Sequence, residues 1–145
     1  MSRYVSYYFS PDNNTAETLI GFIDRCKTSI DAAIYSITHD DITKALIRAH
    51  NRGVKIRILI DNMQAGNPYA DDELLLEAGI MLKCDKKTGL MHHKFIIGDN
   101  SAVGTGSFNW TVNAARRNAE NFVIIRLKYV VGGFKKEFNS IWKNT

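Results

Sequence analysis

Hydrophobic positions along this chain repeat at two periods, and the two alternate. Tyr4–Phe9 is rich in aromatic and β-branched residues and predicts a strand that Pro11 ends. Asn14 or Thr15 can cap a helix to about Cys26, with Leu19, Ile20, Ile23 and Cys26 on one face. Ser29–Ile37 predicts a strand, with Ile30, Ala32, Ile34 and Ser36 at alternate positions. Asp40 or Asp41 caps a helix to about Arg52 that Gly53 closes. Val54–Ile60 alternates as a strand, and Asp61–Ala70 is a loop. A helix follows over Asp71–Ala78, then a strand over Ile80–Cys84 and a polar loop over Asp85–Gly89. Strands His92–Ile97 and Ser101–Thr105 flank a turn at Gly98-Asp99-Asn100. Thr111–Arg117 predicts a short helix, Glu120–Arg126 a strand, and about Tyr129–Lys143 a last helix whose first turns Gly132-Gly133 weakens.

That order implies an α/β sandwich. The turn at Gly98–Asn100 is too short for a parallel crossover, so its strands pair antiparallel. The expectation is a mixed β-sheet flanked by helices on both faces, in one domain over residues 1–145.

Composition changes this picture little. The chain is 45% hydrophobic and 23% charged with only two prolines, so disorder is expected only at the ends. The formal net charge of +4 fits a polyanionic partner without requiring one. Cys26 and Cys84 form no Cys-x-x-Cys pair; Cys26 reads as a buried thiol, and a disulfide between the two is not favoured. No apolar run is long enough to span a membrane, and Met1-Ser2-Arg3-Tyr4 lacks the apolar core of a signal peptide. A cytoplasmic protein is the simplest expectation, with a periplasmic or secreted one if the N-terminus was trimmed.

The candidate chemistry lies in Met91-His92-His93-Lys94-Phe95-Ile96-Ile97-Gly98-Asp99 and Gly106-Ser107-Phe108-Asn109. Together they fit H-x-K-x4-D-x6-G-S-x-N, whose chance occurrence is on the order of one in a million. Alternate strand residues share a face, so His92 and Lys94 project together and His93 points away. An imidazole beside an ammonium is a receptor for phosphate, and each charge disfavours protonation of the other group. Ser107 and Asn109 follow the paired strand, where their donors can meet charge building on phosphoryl oxygens. Asp99 sits in a turn and reads either as a framework residue or as a substrate-facing one. His39, His50 and His93 read as structural or solvated.

These residues resemble the phospholipase D superfamily, whose signature is the H-x-K…D motif. Phe9-Ser10-Pro11, Lys27-Thr28-Ser29-Ile30, Tyr35-Ser36, Arg52-Gly53-Val54 and Asn118-Ala119-Glu120-Asn121 extend the likeness to the small single-motif branch. That branch includes a bacterial periplasmic nuclease, Nuc, and the mitochondrial Zucchini group. The resemblance implies a metal-independent phosphodiesterase with no cofactor, acting through a phosphohistidine. His92 would be nucleophile or acid, Lys94, Ser107 and Asn109 would bind phosphate, and Glu120 would hold the histidine tautomer. The mechanism needs two histidines. One motif is present, so a homodimer would bring two copies of His92 to one phosphate. The Zucchini group's N-terminal anchor and its zinc-binding insert of three cysteines and a histidine have no counterpart here, and no stable membrane insertion is expected.

The surroundings of the motif favour nucleic acid as substrate. Lys83, Lys86 and Lys87, with Arg116 and Arg117, would line a groove that tracks a phosphate backbone, or else serve only as solubilising charges. The first expectation is therefore an endonuclease of low sequence specificity that prefers single strands. The alternative is a phospholipase D-type lipid phosphodiesterase acting on cardiolipin or phosphatidyl lipids. A catalytically silent nucleic-acid-binding module is disfavoured, because it has no need of the whole motif.

Overall fold

The computed structural model describes residues 4–12, 14–65, 70–85 and 89–145. Seven strands form one sheet: β1 (Val5–Ser10), β2 (Ser29–Ile34), β3 (Lys55–Asp61), β4 (Met81–Asp85), β5 (Lys94–Gly98), β6 (Ala102–Gly106) and β7 (Glu120–Ile125). Their order across the sheet is β1-β7-β6-β5-β2-β3-β4. The β2-β3-β4 side is parallel, and β2 meets β5 antiparallel, as do β5–β6, β6–β7 and β1–β7. The sheet is mixed, as the short turn required. That turn closes with Asp99 and Asn100 both at φ 53, and Ser101 N–H donates to the Gly98 carbonyl at 3.0 Å. Two positive φ values in a row match the right-handed twist of the strands they join.

Helices cover both faces. On one side α1 (Thr15–Arg25) and α2 (Asp40–Asn51) pack together over Ile30, Ala32 and Ile34 of β2, Ile56 and Ile58 of β3, and Ile96 of β5. On the other, α5 (Lys128–Lys143) lays Val131 and Phe138 on Ala33, Leu59, Phe95, Ile97 and Val103. Strand alternation supplies both faces at once, which is why β2 and β3 are buried at most positions, Asp31 and Asp61 included. Burying each large side chain contributes about 1.5–3 kcal/mol. The short helices α3 (Asp72–Glu77) and α4 (Val112–Arg116) complete the chain. Cys26 is buried and free, and burial, followed by the Asp99 carboxylate, pushes its thiol up to about 12.

Several boundaries differ from the periodicity. β2 ends at Ile34 rather than Ile37, and Ile37 keeps only an isolated bridge to Trp110. β5 begins at Lys94, so His92 and His93 precede it. α5 begins at Lys128 and runs through Gly132-Gly133, because its apolar face is held on the sheet by Val131, Phe134 and Phe138. Among the described residues no helix is long and apolar enough to cross a membrane.

Candidate active site

All the motif residues but Asp99 converge at one end of the sheet, where β5 begins, β6 ends and β7 begins. This is also where the parallel and antiparallel halves meet, the place open α/β sheets use for ligands. Lys94 Nζ lies 3.1 Å from His92 Nδ1 and donates to the His92 carbonyl at 2.8 Å. His92 is exposed and Lys94 half-buried. Burial lowers the Lys94 ammonium below the ordinary lysine value, against an opposing pull from Glu120. A charged ammonium only donates, so its approach makes Nδ1 an acceptor and leaves the ring proton on Nε2.

Ser107 and Asn109 follow β6. Gly106 makes their placement possible: a Cβ there would lie 2.2 Å from the Asn121 carbonyl oxygen, so only glycine lets β6 and β7 approach this closely. Phe108 and Trp110 are each 1% exposed and anchor the loop from both sides of Asn109. The Ser107 hydroxyl donates to Glu120 Oε1 at 2.6 Å and accepts from Asn121 N–H at 3.1 Å. Asn109 is half-buried, and its Oδ1 has no partner among the described residues.

These contacts correct two expected roles, those of Glu120 and Lys83, and decide between the two readings of Asp99. Among the described residues of this chain Glu120 makes no bond to the His92 ring: its carboxylate accepts from Ser107 and, at 3.1 Å, from Asn118 Nδ2. Asp99 is a framework residue. It lies just past the far end of β5 from Lys94, and its carboxylate accepts the amides of Lys27, Thr28 and Ser29 and the Thr28 hydroxyl at 2.7–3.1 Å. Burial alone would raise it, but those hydrogen bonds outweigh burial and hold it below the usual carboxylate value. Lys83 faces α5 instead of the site. It donates to the Trp142 carbonyl at 3.0 Å with its ammonium 4.5 Å from that ring's centre, because edge strand β4 presents it beside the C-terminus of α5. Arg116 and Arg117 are exposed, and neither guanidinium has a partner among the described residues. Lys86 and Lys87 lie outside the described residues.

Other residues reach the site without having been assigned a role. The Tyr35 ring lies 4.7 Å from the His92 ring, and Lys94 Nζ is 5.5 Å from the Tyr35 centroid. Asp61, 2% exposed, accepts Met91 N–H at 2.8 Å, one residue before His92. His93 pairs with Glu137 of α5 at 2.8 Å, which bears out its structural reading. The one prior signal for Asp61 was a carboxylate closing an otherwise apolar run, Ile58-Leu59-Ile60.

A family model described as "Cardiolipin synthase, PLD-like domain" matches residues 19–142. The chain is 35% identical over 133 residues to a mitochondrial cardiolipin hydrolase of Chlamydomonas reinhardtii, covering 90% of this chain and 60% of that protein. It is 41% identical over 121 residues to a phospholipase D of Rickettsia felis, covering 83% and 60%. It thus spans about 60% of the length of these curated relatives. Among solved structures, Nuc from Salmonella typhimurium, a phospholipase D family member, superposes with a TM-score of 0.90 at 34% identity, over 96% of this chain and 93% of that one.

Proposed function

This chain belongs to the phospholipase D superfamily, and on that premise we propose that it is a metal-independent phosphodiesterase whose preferred substrate is single-stranded nucleic acid. The observation that carries the chemistry is the 3.1 Å approach of Lys94 to His92 at an exposed strand end. An arriving phosphate gives the ammonium a better partner and frees Nδ1 to take the ring proton, so Nε2 carries the lone pair. Nε2 then attacks phosphorus while the bond to the leaving oxygen breaks, and that oxygen takes a proton from the partner's His92. Water next gives its proton to the partner's His92 and attacks the phosphohistidine, whose P–N bond breaks. Lys94 and Asn109 hold the phosphoryl oxygens, and Ser107 joins them by giving up its bond to Glu120.

One motif supplies one imidazole, so the second comes from another copy of the chain. Exposed apolar side chains on the α5 side of the sheet, Val5, Tyr7 and Phe9 of β1 with Tyr129 of α5, offer surface for such a contact. His92 borders the same side, in a cleft shared with Glu137 and Ile141 of α5.

The exposed guanidiniums of Arg116 and Arg117, which follow the Ser107–Asn109 loop in sequence and have no partner among the described residues, favour a polyanionic strand. The second reading, hydrolysis of cardiolipin or another phosphatidyl lipid, draws on the names of the relatives. A side-by-side assay in EDTA on single-stranded DNA, duplex DNA, RNA and cardiolipin vesicles separates them. Single-stranded DNA or RNA should be cut by wild type and spared by His92→Ala. Cleavage confined to vesicles would establish the lipid reading instead.

A further inference from the structure

We infer that Tyr35 and Asp61 are positioning residues that brace the His92 imidazole for attack, an inference that rests on His92 being the reacting group. His92 precedes β5 and is exposed, so no strand ladder fixes it. Its neighbours are nevertheless tied on both sides. Met91 N–H donates to Asp61 Oδ1 at 2.8 Å, and the His93 carbonyl accepts Tyr35 N–H at 3.0 Å. Between these ties, the His92 carbonyl accepts from Lys94.

The ring itself is held by Tyr35. The two rings lie 4.7 Å apart at 54°, and the Lys94 ammonium approaches the same Tyr35 ring at 5.5 Å. One tyrosine therefore touches both halves of the H-x-K pair, through ring packing and through attraction of a cation to its face. Tyr35 is in turn held by Gln64, whose Nε2 donates to its hydroxyl at 3.2 Å. Gln64 lies in a turn built on Asp61. Gln64 N–H and Ala65 N–H donate to the Asp61 carbonyl at 3.0 and 3.1 Å, and Met63 N–H to Asp61 Oδ2 at 2.9 Å. A single buried carboxylate thus organises the support for the backbone before His92 and for the ring against it. A nucleophile that must meet phosphorus in line gains rate from this restriction, because its rotational freedom is lost before the substrate arrives.

The test uses the full chain and bis(p-nitrophenyl) phosphate, a diester with no flanking phosphate or base. Tyr35→Phe keeps the ring but loses the Gln64 bond, and should lower kcat by only a few-fold, roughly 2- to 5-fold. Tyr35→Leu should lower kcat by roughly 10- to 100-fold with KM little changed. Asp61→Asn keeps one acceptor oxygen and should fall between them. The His92 Cε1 proton resonance, displaced by the Tyr35 ring current, should persist in Tyr35→Phe and move in Tyr35→Leu. A Tyr35→Leu variant with raised KM and unchanged kcat would make Tyr35 a substrate contact and overturn the brace. So would an unmoved His92 resonance. If wild type and His92→Ala were equally inactive, the reading of His92 would fail, while the resonance would still report on the brace.

Discussion

Lys94 is a lysine whose burial outweighs the pull of a nearby carboxylate, so it loses its proton earlier than an exposed lysine does. In the proposed mechanism its charge holds phosphate. Activity should therefore be full while the ammonium persists and fall as pH rises through its lowered value. The alkaline limb of kcat/KM against pH should lie below the ordinary lysine range. Lys94→Arg, which keeps its charge throughout, should lose that limb at the cost of a lower plateau. An alkaline limb unchanged in Lys94→Arg would assign it to another group. Ser107 illustrates a different residue-scale point: its hydroxyl proton is committed to Glu120 at 2.6 Å, so its use on phosphate requires an exchange of partners.

At the scale of elements, α5 is fastened to the sheet by charge as well as by its apolar face. Asp31 of β2 is 3% exposed and meets both Arg57 of β3, at 2.7 Å, and Lys135 of α5. The Arg57 guanidinium also lies 4.9 Å from the Phe138 ring centre and bonds Asn139 at 3.0 Å. Removing one partner leaves a buried carboxylate short of compensation. Arg57→Ala should cost about 2–4 kcal/mol in urea unfolding, the lower part reflecting the partly exposed guanidinium. Lys83→Ala, at a half-buried edge-strand position, should cost under about 1 kcal/mol. Equal losses in the two variants would deny Asp31 its part in the clamp. The clamp bears on function because Glu137 and Ile141 of the same helix border the cleft at His92.

For the whole molecule, the proposed mechanism needs two histidines where the chain carries one motif. If two copies share each site, a heterodimer of wild type and His92→Ala carries one imidazole per site and is inactive. With random pairing of equal amounts, about a quarter of dimers are wild-type homodimers. Activity in a mixed and re-equilibrated sample should then follow the square of the wild-type fraction. A linear dependence would place a complete site within one chain.

The sequence by itself determined the elements and the pairing of His92 with Lys94. Both are written in short-range spacing: the two-residue and helical periods, the two-residue turn at Asp99-Asn100, and the single residue between His92 and Lys94. The tertiary structure alone decided which partner each polar group takes. Asp99 closes on Thr28 across 71 positions, Lys83 on Trp142 across 59, and Asp61 on Met91 across 30. Glu120 binds Ser107 rather than His92 because β6 and β7 pair through Gly106. A hydrogen bond is satisfied by whatever group the fold brings within about 3 Å. Local pattern carries no information about that distance until the sheet order is set.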